Sequence, residues 1–191
     1  MRGPPLFFDD QTSNFANHTQ ECPKIRPVGV AVSPRRNHRA NIRHLMSLVR
    51  PHARADLRKS DILRWYNPSG GVDPVEVAAM VVATRPKYVV FDWDQTLTQF
   101  DGVDPNMHPR AAAEMLMGGW FRMRGMQEMF RTLHAHNVPY YVLTKNPAAK
   151  TNPAFFRRVL RFAGGTKPEW IRYSGRTSKL RFLRNEGMCR G

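Results

Sequence analysis

Cysteine is almost absent: the 191-residue chain has two, Cys22 and Cys189, near opposite ends. They form no metal-binding spacing and no disulfide framework of the kind that staples small secreted domains. Such usage fits a reducing compartment. Long apolar runs are absent too, since none approaches the roughly 20 residues of a membrane-spanning helix. The N-terminal stretch has a basic residue, Arg2, but no apolar segment adequate for a secretory signal. These absences point to a soluble, intracellular (cytoplasmic) protein without a membrane partner. Internal repeats are missing, which argues against a solenoid. Acidic residues are scarce, 15 Asp and Glu against 30 Lys and Arg, for a net charge of +15. From Lys145 to the end there are twelve Lys and Arg against two Glu. A positive field of this kind concentrates anionic ligands, either phosphorylated metabolites or nucleic acid.

Hydrophobic residues make up 41% of the chain, enough for a real core, while fifteen prolines argue that not all of it is packed. Residues 1–40 are polar and aperiodic, with the apolar cluster Val28–Val32 standing out, and read as a basic, Pro-containing flexible arm. Residues 41–86 read as a helical extension. Ile42, Leu45, Met46 and Val49, then Leu57, Ile62, Leu63 and Trp65, have helical spacing, and Asp73-Pro74 opens a further helix. From 87 to 191 the pattern alternates. Apolar runs at 88–91, 138–143 and 170–173 read as strands. Amphipathic stretches at 110–117, 123–136, 153–162 and from Ser178 read as helices. Strand–helix alternation at this spacing implies a parallel sheet flanked by helices.

The most informative stretch is Tyr88-Val89-Val90-Phe91-Asp92-Trp93-Asp94-Gln95-Thr96. A buried strand that ends in two carboxylates needs a counterion, and a hard divalent cation such as Mg²⁺ is the obvious one. Asp-x-Asp-x-Thr after an apolar strand resembles the first motif of the haloacid dehalogenase-like (HAD) hydrolases. Val142-Leu143-Thr144 resembles the second, a Ser or Thr closing a strand. Lys179, at a helix start after the next strand, resembles the third. The resemblance spans residues 87–183. It implies an α/β, Rossmann-like core acting as a Mg²⁺-dependent phosphatase. Asp92 would be the nucleophile that forms an aspartyl-phosphate, and Asp94 the general acid and base. Asp92 and the main-chain carbonyl of Asp94 would bind the metal. Thr144 and Lys179 would hold the phosphate of a small or macromolecular substrate.

One part of the family pattern is missing where it belongs. A further strand ending in acidic residues should follow Lys179, yet only twelve residues remain and Glu186 is their one carboxylate. The core therefore reads as truncated at its C-terminal end, with an exposed sheet edge that Val28–Val32 could cover. Asp101 or Asp104 could substitute as metal ligands. An impaired site leaves an alternative function: a HAD-fold binding or scaffold protein whose basic surface takes nucleic acid or another polyanion.

Overall fold

The computed structural model describes residues 2–30, 71–99 and 106–189. Five strands form one parallel sheet: β1 (Leu6–Asp9), β2 (Arg26–Gly29), β3 (Val89–Phe91), β4 (Tyr140–Thr144) and β5 (Ile171–Tyr173). Their spatial order is β2-β1-β3-β4-β5. The helices are α1 (His18–Glu21), α2 (Pro74–Thr84), α3 (Pro109–Leu116), α4 (Trp120–Ala135), α5 (Ala148–Thr151), α6 (Pro153–Phe162) and α7 (Lys179–Asn185). A 3₁₀ turn covers Thr12–Phe15, and a distorted turn covers Trp93–Leu97. This is the parallel, helix-flanked sheet expected of a Rossmann-like fold.

Period-two alternation sorts the strand residues between two cores. Leu6, Phe8, Val89, Phe91 and Val142 join the larger cluster with Val77, Val81, Met126, Met129, Phe155 and Phe156 from the helices. Phe7, Val90 and Leu143 face the other way, into a smaller cluster with Cys22, Ile25, Leu180 and Leu183. Because both faces are covered, the central strands read as unbroken apolar runs.

The helix starts follow local chemistry. Pro occupies the first turn of α2, α3 and α6, where its missing N–H is harmless. The Asp73 carboxylate accepts from the Val75 N–H at 2.9 Å, and the Asn152 side chain accepts from the Phe155 N–H at 3.2 Å. Phe155, Phe156, Val159 and Leu160 then form the buried stripe of α6, as their spacing predicts.

The N-terminal residues depart from expectation. Instead of a flexible arm, residues 6–9 and 26–29 are strands of the sheet, and α1 lies between them. Leu6, Phe7 and Phe8 are buried, so β1 has a strong reason to dock beside β3. Nor is the sheet short of a strand on that side, as a truncated core would be, because β1 and β2 extend it. The edge of β3 is covered by β1 and not by Val28–Val32: β2, which ends at Gly29, pairs with β1 at the sheet margin. The helices expected over 41–66, together with Asp101 and Asp104, lie outside the described residues.

The cysteines also depart from expectation. Cys22 and Cys189 form a disulfide with their Cα atoms 5.0 Å apart, 167 positions apart in sequence. Proximity in the fold, not sequence spacing, makes the pair. Cys22 follows α1 and Cys189 follows α7, and both lie in the smaller core. The bond takes away the ground for reading the two as reduced thiols. In the chain-entropy picture, closing so long a loop stabilises by about 5 kcal/mol at most. The double variant Cys22→Ser/Cys189→Ser is therefore expected to melt well below the wild type. Reductant should lower the wild-type melting temperature towards the variant's and leave the variant unmoved. Equal melting with and without reductant would show that the bond does not hold the ends.

Candidate functional site

Adjacent strands β1 and β3 mark a switch in the sheet. From β1 the chain continues outward to β2, whereas from β3 it continues the other way to β4 and β5. In open α/β sheets a crevice opens outside the carboxyl ends of such a strand pair, and ligands bind there. In this protein those ends carry Asp9-Asp10 and Asp92.

Alternation explains why two of these carboxylates meet. Asp9 follows Phe7 on the face of β1 that looks toward α7, and Asp92 extends the Val90 face of β3. Lys179, the first residue of α7, reaches between them. Its Nζ lies 2.8 Å from Asp9 Oδ2 and 2.7 Å from Asp92 Oδ1. All three are nearly or fully excluded from solvent, with exposures of 2% for Lys179, 0% for Asp9 and 5% for Asp92. A lysine at a helix start opposes the helix dipole, so α7 alone does not favour it there. The two carboxylates supply the compensation.

Further hydrogen bonds hold this triad. The Asn14 side chain donates to both Asp9 oxygens at 2.9 Å, and the Gln11 N–H donates to Asp9 Oδ1 at 2.8 Å. The Trp93 N–H donates to Asp92 Oδ1 at 2.7 Å. Lys145 donates to Asn14 Oδ1 at 3.2 Å, which ties the loop after β4 to the same network. Ser178 caps α7 by accepting from the Arg181 N–H, and its hydroxyl donates to Glu21 of α1 at 2.7 Å.

Asp10 is half-buried beside the triad. Its N–H donates to Thr96 Oγ1 at 3.1 Å, joining β1 to the turn after β3. One carboxylate oxygen each from Asp9, Asp10 and Asp92 falls within 4.8 Å of the others. Asp9 also holds Lys179, Asn14 and Gln11, Asp92 holds Lys179 and the Trp93 N–H, and the Thr96 hydroxyl donates to Asp10 at 3.5 Å. When all three are ionised, the carboxylates outweigh the Lys179 ammonium in contact with them, an excess that a divalent ion would offset. The donors are hard oxygens, which fit Mg²⁺ or a similar cation.

The remaining residues named from sequence fall at the same end of the sheet. Asp94 lies in the turn after β3, where Gln95 takes a left-handed conformation (φ 53°). Asn146 donates to Asp94 Oδ1 at 3.4 Å. Thr144 ends β4 and is buried, and its hydroxyl accepts from the Asn146 N–H at 3.0 Å. The structure thus brings Asp92 and Lys179 into direct contact. Asp94 and Thr144 connect to one another through Asn146.

Sequence reasoning missed Asp9, Asp10, Asn14 and Arg122. Leu6-Phe7-Phe8-Asp9-Asp10 carries the same signature as the Asp92 strand, an apolar triplet ending in carboxylate. Its place ahead of that strand, not after Lys179, hides its role. Arg122 is a buried positioning residue with no such signature. Its guanidinium donates to the carbonyls of Leu97 (2.9 Å), Met117 (3.0 Å) and Val72 (3.0 Å), and more weakly to that of Thr96 (3.4 Å). It thereby pins the far end of the turn that bears Asp94. Gly71 sits against it with φ 87°, and a Cβ there would come within 2.5 Å of the guanidinium.

Neither the protein-family models, nor the curated proteins, nor the solved structures contain a significant match to this chain. What the site does must be argued from its own chemistry.

Burial pushes the Asp92 carboxyl up to about 7; Lys179 opposes the shift and Asp9 adds to it. A carboxyl raised in the folded state binds its proton more tightly there than when unfolded. Its contribution to stability is therefore present at low pH and lost as pH rises from about 4 towards 7. In metal-free protein, Asp92→Asn is expected to melt above the wild type at pH 8, since Lys179 keeps Asp9 as its partner. The difference should shrink towards pH 5, where the wild-type carboxyl is protonated. Melting curves across pH in chelator would test this, and a variant less stable than wild type at pH 8 would contradict it.

Proposed function

We propose that the protein is a Mg²⁺-dependent phosphohydrolase of the HAD type, with Asp92 as its nucleophile. The observation that carries this reading is the buried Lys179 ammonium, shared by Asp92 and Asp9 at the switch point of the sheet. A lysine held there can neutralise an incoming phosphate beside the carboxylate that attacks it. The resemblance asks for an acidic strand after Lys179. β1, lying beside β3 and ending in Asp9-Asp10, would meet that need from the other end of the chain. The non-catalytic alternative rested on the want of those carboxylates, so their presence favours activity.

Phosphoryl transfer needs positioning and charge neutralisation more than covalent chemistry from the protein. An Asp92 oxygen would attack phosphorus, and the bond to the leaving alcohol oxygen would break. Asp94 would give that oxygen its proton. Water would then attack the aspartyl-phosphate, with Asp94 taking its proton, to release phosphate and regenerate Asp92. Lys179 would balance the charge on the nucleophile and the phosphoryl oxygens. The Thr144 hydroxyl and the backbone N–H groups after β4 would orient those oxygens. Asp92, Asp10 and the Asp94 carbonyl would hold Mg²⁺, which when bound lowers the repulsion between carboxylate and phosphate.

The test is hydrolysis of an aryl phosphate with and without Mg²⁺. Wild type is expected to turn over only with the metal. Asp92→Asn should lose at least about a thousandfold, the scale of losing an essential nucleophile. Asp10→Asn should retain turnover but need at least tenfold more Mg²⁺. No hydrolysis, together with no rise in melting temperature on adding Mg²⁺, would reject the reading.

A further inference from the structure

A second surface lies at the opposite end of the sheet from the carboxylates. Helix α6 leaves the carboxyl end of β4 through α5 and runs back to Phe162. One face of it is buried; the other presents Arg157, Arg158 and Arg161, all exposed, and no residue of α6 is acidic. Phe162 ends the helix 39% exposed, unusual for a phenyl ring in so polar a setting. Arg158, Arg161 and Phe162 line one depression of about 300 Å³ together with His108 and Pro109.

A second, larger depression has a volume of about 700 Å³. Its lining includes Arg2, Arg131, His134 and Lys167, with Glu169 as the acidic member. Val138 and Pro139, which lead into β4, line it as well, so it belongs to the amino end of the sheet. Arg157 is close enough to Tyr140, in the lining of the larger depression, for its charge to act on that phenol. Gly164 and Gln127 line it as well, and Gln127 donates to the Phe162 carbonyl at 3.1 Å. Among the described residues, Arg157, Arg158, Arg161 and Lys167 pair with no carboxylate; Arg131 pairs with Glu128.

We propose that the basic face of α6, together with the cationic depression beyond Phe162, binds single-stranded nucleic acid. Phosphates lie on Arg157, Arg158, Arg161 and Lys167, and a base stacks on Phe162. A row of unpaired cations along a helix matches a polyanion with regularly spaced charges better than it matches one phosphate group. The exposed phenyl ring decides between single and double strands, because only an unpaired base offers its face for stacking. This surface and the carboxylate site occupy opposite ends of the strands, so binding here does not depend on the phosphohydrolase reading.

The experiment is fluorescence anisotropy with labelled 20-nucleotide single-stranded DNA and RNA, titrated at several salt concentrations, with a duplex of the same length beside them. Wild type is expected to bind the single strands more tightly than the duplex, with affinity falling steeply as salt rises. Arg158→Ala/Arg161→Ala should weaken binding at least tenfold. It should also flatten the salt slope by about 1.4, at roughly 0.7 per lost phosphate contact. Phe162→Ala should weaken binding about tenfold and leave the slope unchanged, the mark of lost stacking. Arg158 and Arg161 are exposed, so the arginine variant should match wild type in melting temperature and aryl phosphate hydrolysis. Three results would overturn the proposal: no binding at the lowest salt, single-strand binding that the arginine variant leaves intact, or equal duplex binding with no effect of Phe162→Ala.

Discussion

One buried ammonium organises the molecule. Lys179 lies between Asp9 and Asp92, and through them it joins the N-terminal strand, the central strand and the last helix. Charged groups so deeply buried are tolerated only when paired and hydrogen-bonded. Asn14, Gln11 and Trp93 supply those bonds, so the arrangement is costly to loosen at any single point. One charge remains poorly compensated. Burial raises the Asp92 carboxyl to about 7 despite the ammonium beside it.

The ends of the chain serve this centre. β1 brings Asp9 and Asp10, and α7 brings Lys179, so residues 170 positions apart meet in one contact. The Cys22–Cys189 disulfide and the Ser178–Glu21 hydrogen bond fasten the same two segments behind the site. Hydrophobic packing of Phe7, Ile25, Val90, Leu180 and Leu183 fills the space between them. Covalent closure, apolar burial and ion pairing therefore act on one seam, where the beginning and end of the chain lie side by side. At the far end of the sheet the surface is of another character, cationic and open.

Much of this was readable from residue patterns. β3, β4 and β5 came from apolar runs, α6 from its spacing of Phe155, Phe156, Val159 and Leu160, and α2 from Asp73-Pro74. Asp92 stands out because charge at the end of an apolar strand breaks the local pattern, whereas Lys179, set among Arg176, Arg181 and Arg184, is singled out only by the resemblance. β1 escaped although Leu6-Phe7-Phe8 is as apolar as any strand here. It is short and set in polar, Pro-containing surroundings, and nothing local says that it pairs with a strand eighty residues later. Arg122 was not legible at all, since an arginine on a helix normally faces solvent and this one is buried among carbonyls of distant segments.

Sequence by itself determined the local matters after residue 73: the strands β3, β4 and β5, the longer helices and their starts, and the carboxylate that ends β3. Those properties depend on side-chain periodicity and on capping groups a few residues apart. Tertiary structure alone decided which carboxylates share Lys179, which cysteines pair, and that the acidic strand beside β3 comes from the N-terminus. A parallel sheet orders its strands by how their faces pack and not by their order in the chain. Partners on neighbouring strands are therefore set by burial across the whole sheet, which no stretch of sequence contains.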